Sequence, residues 1–500
     1  MCAYGAYFLI PHYPMRNLPP FLRILPLVVV GILLGNVLTI EAWWVAAAAA
    51  LCSLIGYLWR KRGVAEIYIS LSILLWAMAS TEIRTPKQIP EPSAPSKVEV
   101  VVATVPHTSG RWQQCEAAST IDNQSVKIML RADTAICVSL GERSIASGYL
   151  NPLPEGSYGN LMRRRGFVGT LYITSPLDWQ PLGITTSPAI AARRVQHTLA
   201  GRIDSLGLEH NEGAIVKAML LGQRSDISPS LRKAYSRAGA SHILAISGLH
   251  VGIVAMVVWW LCWLLPIVGR RGHIVRNCIA SAIMILYAVI CGLSPSVVRA
   301  TIMFVVAQMA LGYGTSRNTT NALCGAVTIM LLFNPNNLYD ISFLLSATAV
   351  AGILVGLRPM SEFMGGEGGG ALLRALRGVV VVGLCSTLAT LPLVAHTFST
   401  ASLVGIFLNP IVILTAEIIV MGGLIWVSLP FGWLQPVAKW VIGGAAELQN
   451  RTVEYAAGLS WSAVECQVPM WVTLLAYGAM LVAVVVASQW KERRKWKMEI

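Results

Sequence analysis

Ser247 and His250 are the pair whose types and spacing most invite a chemical reading. They lie in the run Gly239-Ala-Ser-His-Ile-Leu-Ala-Ile-Ser-Gly-Leu-His250-Val-Gly252, which opens an apolar segment continuing to about Leu265. Helical spacing places both on one face, and a hydroxyl beside an imidazole is the start of a nucleophile–base pair. No carboxylate in the segment would orient that imidazole. The other reading is polar groups turned toward a bundle interior or a water path, because an unpartnered polar group in lipid costs several kcal/mol.

Other polar residues recur in the same apolar block. Arg299 lies one turn inside a segment that opens at Ser294-Pro295, and an arginine there needs a partner or must snorkel. Asp340 precedes Ile341-Ser342-Phe343 and is placed to cap a helix. An Arg299–Asp340 ion pair is one expectation. Asn409-Pro410 interrupts a further segment, and Thr387 to Pro392 does the same upstream. The sequence contains no His-Glu-x-x-His, no phosphate-cradling glycine loop and no cluster with metal-ligand spacing. No catalytic residue, metal or cofactor is therefore expected, and energy for any transport must come from an ion gradient or another protein.

The elements that position these groups are membrane helices. Of 500 residues 55% are hydrophobic and 12% charged, about half the charge of a soluble domain, and the mean hydropathy is +0.62. Apolar segments suited to spanning run over 24–40, 43–59, 64–81, 242–266, 274–292, 296–313, 320–333, 341–357, 378–395, 402–429 and 469–489. The first is read as a retained helix, since no small-residue cleavage site follows it. Basic groups at 60–62, 270–271, 374–377 and 491–497 go to the cytoplasm by the positive-inside rule. That leaves 82–241 outside. Parity then requires 402–429 to be broken or re-entrant, or 433–458 to cross as well.

Residues 82–97 carry four prolines and read as a linker into an extracytoplasmic insert. Runs at Val98–Val105, Val126–Leu130, Ala135–Leu140 and Gly166–Ile173, with a turn at Asp122-Asn123, predict a small OB-like β domain over 82–184. Cys115 and Cys137 fall on neighbouring elements there, and outside the cytoplasm they are candidates for a disulfide. Arg163-Arg164-Arg165 is the basic cluster of the insert, read as a phosphate-contacting patch or a solvated turn. The region 185–241 holds eight Lys/Arg against four Asp/Glu. Its Arg193, Arg194 and Arg202 are expected either to draw in a polyanion at the outer mouth or to lie on anionic lipid.

Several blocks, in order, resemble the ComEC competence family: Leu220-Leu-Gly-Gln-Arg-Ser-Asp226, Ala240 through Gly252, Ser294-Pro-Ser-Val-Val-Arg-Ala300, Asn334-Pro335 through Phe343, and Arg165-Gly-Phe-Val-Gly-Thr-Leu-Tyr172. The resemblance covers roughly 24 to 430. Phe343-Leu-Leu-Ser346 departs from the family's Phe-Gln-Leu-Ser. It implies a polytopic α-helical inner-membrane protein with an inserted extracytoplasmic OB-like β domain, which passes single-stranded transforming DNA inward. The expected parts are N-terminal helices over 1–81, the β domain over 82–184, the basic region over 185–241, a channel bundle over 242–429 and a closing segment over 430–500. Ser247, His250, Arg299, Asp340 and Asn409 are expected beside the path. Arg163, Arg164, Arg165, Arg193, Arg194 and Arg202 are expected on DNA. The implied partners are single-stranded DNA, membrane lipid, an outer DNA receptor, a cytoplasmic helicase or ATPase, and a separate nuclease. The nuclease is expected to be separate because no His-x-His-x-Asp-His occurs. The competing classes are a transporter of a small solute or peptide, and an intramembrane serine hydrolase.

Overall fold

A computed structural model describes residues 19–38, 40–59, 65–84, 96–121, 124–266, 269–312, 319–363, 370–398, 400–402, 404–429, 431–459, 462–465, 468–480 and 482. The linker prolines, the basic groups at 60–62 and 491–497, and Asp122-Asn123 lie outside these residues.

Three apolar helices open the described chain: α1 (Pro20–Val37), α2 (Ala42–Leu58) and α3 (Ala65–Arg84). Small residues let them approach closely: a Cβ on Gly31 of α1 would fall 2.3 Å from the Leu74 carbonyl of α3. The insert follows as β1 (Ser96–Val102), β2 (His107–Ser109), β3 (Trp112–Ile121), β4 (Gln124–Asp133), β5 (Glu142–Pro152), α4 (Ser157–Arg164), β6 (Phe167–Ile173) and β7 (Trp179–Ile184). The order β1-β3-β4-β6-β5, with β1 also paired to β5, closes a five-stranded barrel, and β4 and β6 run parallel. Alternation sends Val100, Ile128, Leu130, Ala146, Leu171 and Ile173 into its core. The expected strand at Ala135–Leu140 is instead a turn, while the polar runs of β3 and β5 supply two of the barrel strands.

Cys115 and Cys137 are free thiols, which corrects the expected disulfide. Cys115 points into the barrel core from β3, whereas Cys137 is exposed in the turn after β4. Burial pushes the Cys115 thiol up to about 12, so it behaves as a small hydrophobe.

The rest of the described chain is mostly helical: α5 (Pro188–Asp204), α6 (His210–Leu221), α7 (Pro229–Arg237), α8 (Gly248–Trp263), α9 (Gly269–Ile290), α10 (Pro295–Gly312), α11 (Thr319–Phe333), α12 (Ile341–Phe363), α13 (Ala371–Phe398) and α14 (Gly405–Ser428). A one-turn α15 (Gln435–Ala438), α16 (Gly444–Gly458) and α17 (Met470–Met480) complete it. Among the described residues, four stretches are long and apolar enough to cross a membrane: Pro20–Val37, Gly272–Ile290, Val380–Phe398 and Phe407–Ser428. Seven shorter apolar helices accompany them.

Segment 402–429 is not broken, contrary to one expectation. Helix α14 runs continuously through Pro410, as membrane helices tolerate where neighbours satisfy the freed backbone. Short strands Thr400–Ser402 and Ala463–Glu465 pair antiparallel. Both ends of 404–462 therefore meet at one place, and α14 with α15–α16 forms an out-and-back excursion. Helix α17 packs antiparallel to α13, with Thr473 bonded to the Pro392 carbonyl and Tyr477 to that of Ala389.

Helices α5–α7 join the same body. Helix α6 is buried continuously from Gly213 to Leu221, so it does not lie on headgroups. Its Lys217 is bracketed by Asp226 and, at 3.0 Å, by Asp204. Burial pulls the Lys217 ammonium down, but the two carboxylates outweigh it and leave it above its ordinary value. Burial raises the Asp226 carboxyl, and Lys217 and Ser225 more than reverse this, so it titrates below its ordinary value. A lowered carboxylate stabilises the fold above the unfolded-state value, about 4, and loses that contribution as pH falls through the folded value. The raised lysine contributes below its ordinary value and is lost at more alkaline pH. Asp226→Asn is therefore expected to lower stability by about 1 kcal/mol at neutral pH. Thermal melts of the two proteins should converge as pH falls below about 4, and a gap that persists there would contradict this account.

Candidate nucleic-acid interface and helix groove

The run 239–252 is not one helix. Gly239 takes φ +73° and terminates α7, with Ala240 N–H donating to the Tyr235 carbonyl at 2.9 Å. Ile243, Leu244 and Ile246 pack into the core without being helical, so the apolar pattern read over 242–266 starts α8 too early. Ser247 is the N-cap. Its Oγ accepts from His250 N–H at 3.2 Å, and His250 Nδ1 accepts from Ser247 N–H at 3.4 Å. This is a reciprocal capping box with histidine in the place of glutamate. Each side chain holds the other's backbone, an arrangement that starts a helix rather than one that activates a hydroxyl.

Asp340 caps α12 as expected, accepting from Ser342 N–H at 2.8 Å and Phe343 N–H at 3.3 Å. Its other oxygen takes Arg165 of the barrel at 3.1 Å, not Arg299. Arg164 stacks over the Tyr339 ring at 3.7 Å, and Arg163 bonds to Asn160 and to the Leu153 carbonyl. Two of the triplet read as a phosphate patch, Arg164 and Arg165, thus join the insert to the segment 335–340, while Arg163 is held within the insert. Asp340→Asn should keep the cap and lose the ion pair, whereas Asp340→Ala should lose both, each contribution being about 1 kcal/mol. Hydrogen exchange across 335–345 reads the difference: equal protection in the two variants would deny Asp340 its capping role, and protection in Asp340→Asn equal to the parent's would deny it the ion pair.

The remaining basic candidates are also tied to protein. Arg193 donates to Gln196 at 2.9 Å, with its guanidinium against Gly292. Arg194 reaches Gly141 of the barrel. Arg202 donates to the Val427 carbonyl at 2.6 Å, near the end of α14. Asn409, 5% exposed, donates to Thr387 at 3.0 Å across α13 and α14, and its Oδ1 has no partner among the described residues.

Arg299 differs from these. It is 2% exposed, and its Nε and Nη1 have no hydrogen-bond partner among the described residues. It sits at one end of a groove of about 510 Å³ between α8 and α10, to which α12 adds Val350. The α8 wall is Gly248, Val251, Gly252, Ala255, Met256 and Trp259; the α10 wall includes Met303, Phe304 and Ala307.

A second constellation was beyond sequence reasoning. Barrel register aligns Tyr149 with Tyr172, Tyr172 with Arg131, Arg131 with Gln114, and Gln114 with His107. The row crosses five strands on the outward face. Arg131 lies 5.6 Å from the Tyr172 ring centroid and donates to its hydroxyl at 3.0 Å. Trp112 packs edge-on against Tyr172 at 5.6 Å, and Arg111, 68% exposed and paired with Asp133 at 3.4 Å, lies over Trp112 at 4.9 Å. Tyr149 is 63% exposed. Two cations interleaved with three rings on one open face suit flat, anionic ligands. Of this group only Tyr172 stands in a run that the sequence singles out; the rest is visible once strand register is known.

Comparison with known proteins agrees with the resemblance. ComE operon protein 3 of Bacillus subtilis is 25% identical over 238 residues, 45% of this chain and 29% of its own length. A protein of Aquifex aeolicus is 30% identical over 200 residues, 40% of this chain and 43% of its own. Competence protein ComA of Neisseria gonorrhoeae is 28% identical over 162 residues, 31% and 22% respectively. The aligned part thus spans less than half the length of each relative. No solved structure matches. The model of the Competence protein family matches residues 219–491, more than half of the chain, and takes in the α8 cap, the α8–α10 groove and the α14–α16 excursion, so the chain belongs to that family.

Proposed function

We propose that the protein takes up DNA as a single strand, that the barrel face receives the strand, and that the apolar helices of 242–429 carry it inward. The observation that carries this reading is the row Tyr149–Tyr172–Arg131 with Trp112 and Arg111. Every base has a face on which an aromatic ring stacks, and interleaved arginines meet the phosphates, so such a row holds a strand without reading its sequence. The barrel itself is a five-stranded closed frame of the size that OB-type domains use for this purpose.

The path residues take revised roles in this proposal. Ser247, His250 and Asp340 hold helix ends, and Asn409 ties α14 to α13, so they shape the passage rather than touch the strand. The six arginines first expected on DNA hold the barrel, α5 and α14 in place, and Arg111 and Arg131 take over the phosphate contacts. With the insert outside the inner membrane, an outer receptor would deliver the strand, and a cytoplasmic helicase or ATPase and a separate nuclease would complete the system.

The test is entry of labelled DNA into the cytoplasm of cells whose only copy carries Arg111→Glu and Arg131→Glu. Uptake is expected to fall while membrane insertion stays intact. Unchanged uptake would reject the barrel face as receiver. Uptake of a small solute by vesicles holding the protein, without DNA, would favour the transporter class instead.

A further inference from the structure

Arg299 calls for an anion. Leaving a guanidinium at membrane depth costs about 3 kcal/mol even on insertion scales. Two of its nitrogens are buried without a partner among the described residues. Its Nη2 lies 3.2 Å from where a Cβ on Gly248 would sit, so the first turn of α8 adjoins it. Helix starts present free N–H groups and a positive dipole end. Asp340, the acid once expected to pair with Arg299, is committed to Arg165 and to its own helix.

The groove continues from that charged end along α8 from Gly248 to Trp259, a length of roughly 16 Å walled by side chains that are almost all apolar. It opens sideways, with Met256 67% and Trp259 42% exposed. One cation, with the uncharged Gln308 as the other polar side chain of the lining, selects its ligand by charge count. A nucleic-acid strand spaces its phosphates about 3.4 Å apart along a helix axis, so a strand lying in the trough would set several anions against one arginine. A phospholipid brings one phosphodiester and a hydrocarbon tail.

We propose that the α8–α10 groove is a binding site for one phospholipid, with the phosphodiester on Arg299 and the first turn of α8, and an acyl chain along Val251, Ala255 and Met303. Membrane lipid is already the solvent of the tail, so tail burial gains little. Retention therefore depends on the headgroup contact, and the walls set only whether the tail fits. The proposal does not rest on DNA uptake by the barrel face.

Two substitutions separate these contributions. Arg299→Gln removes the charge. Gly252→Leu fills the trough, where a Cβ on Gly252 meets nothing within 4 Å, so it blocks the tail without pressing on backbone. The full chain is reconstituted in phosphatidylglycerol–phosphatidylethanolamine membranes, extracted, exchanged through mild detergent and analysed by native mass spectrometry.

The expected result is a single retained phospholipid on the parent protein, a drop of roughly ten-fold or more in its occupancy for both variants, and partial recovery with Arg299→Lys. Lysine keeps the charge but loses the planar fork that grips a phosphate. Single-strand binding by the same preparations reports that the barrel face is intact. If Arg299→Gln does not fold, Gly252→Leu and Arg299→Lys decide. No phospholipid on the parent protein, or equal occupancy in the variants, overturns the site. Lost DNA entry with phospholipid occupancy unchanged also overturns it and assigns the groove to the strand.

Discussion

Replacing Tyr149 and Tyr172 together by alanine is expected to lower the affinity of the full chain for single-stranded DNA by about two to four orders of magnitude. Stacking of one base on one ring contributes about 1–3 kcal/mol, and two rings are removed. The loss at position 172 reaches further, because Arg131 donates to its hydroxyl and lies by its ring, while Trp112 packs edge-on against it. Tyr172→Ala alone should therefore cost more than Tyr149→Ala, and Tyr172→Phe should recover most of the binding. The barrel should survive both changes, since its core is built from the opposite faces of the same strands. Fluorescence anisotropy with a short labelled oligonucleotide at two salt concentrations checks this. The rings should change affinity with little change in salt slope, whereas Arg111→Gln and Arg131→Gln should reduce the slope. An affinity unmoved by the double alanine change would remove the barrel face from the account.

Apolar helices were legible because lipid imposes a simple demand, a run of about 20 apolar residues. The segments read at 24–40, 296–313 and 320–333 correspond to α1, α10 and α11 within a few residues. The start of α8 was misread because Ile243, Leu244 and Ile246 are buried for packing, not for helix formation. Hydropathy reports burial, and burial is not conformation. Pro410 looked like a break, but proline only lowers helix stability locally and packing overrides it. The barrel strands β3 and β5 were missed because Trp112-Gln-Gln-Cys-Glu-Ala-Ala-Ser and Glu142-Arg-Ser-Ile-Ala-Ser carry polar residues on an outward face that serves a surface. The Tyr149–Tyr172–Arg131 row lies beyond any local pattern, since its members are 18 to 41 residues apart and meet through strand register. Charge counting leaves Arg163–Arg165 open for a related reason: a basic triplet does not say whether its partner is a phosphate or a protein group, and Arg165 and Arg164 meet Asp340 and the Tyr339 ring.

Tyr235→Phe is expected to destabilise the helical body by about 2–6 kcal/mol, although it removes one oxygen. Tyr235 of α7 is fully buried, and its hydroxyl donates to Asn450 Oδ1 at 2.9 Å and accepts from Gln449 Nε2 at 3.0 Å. Gln449 Oε1 in turn accepts from Thr415 of α14 at 3.0 Å. Loss of the hydroxyl takes its partner from two buried amide atoms, Asn450 Oδ1 and Gln449 Nε2, at about 1–3 kcal/mol each. Burial and the nearby Glu454 hold the Tyr235 phenol well above its ordinary value and outweigh the Gln449 bond, so it stays a donor throughout the working pH range. The effect should be conditional. Adding Gln449→Leu to Tyr235→Phe removes one stranded donor and should recover part of the loss, since replacing both partners of a buried bond costs less than replacing one. Thermal unfolding and proteolysis of the 404–462 excursion read this directly. Because α7 leads into the Ser247–His250 cap and α14 carries Asn409, loosening the network should reduce DNA entry while single-strand binding by the barrel face stays at its parent value. That split, entry lost and capture kept, is what separates a receiving surface from the helices that act after it. Equal loss of both would mean that the barrel and the helices fold as one unit and that capture cannot be assigned to the barrel alone.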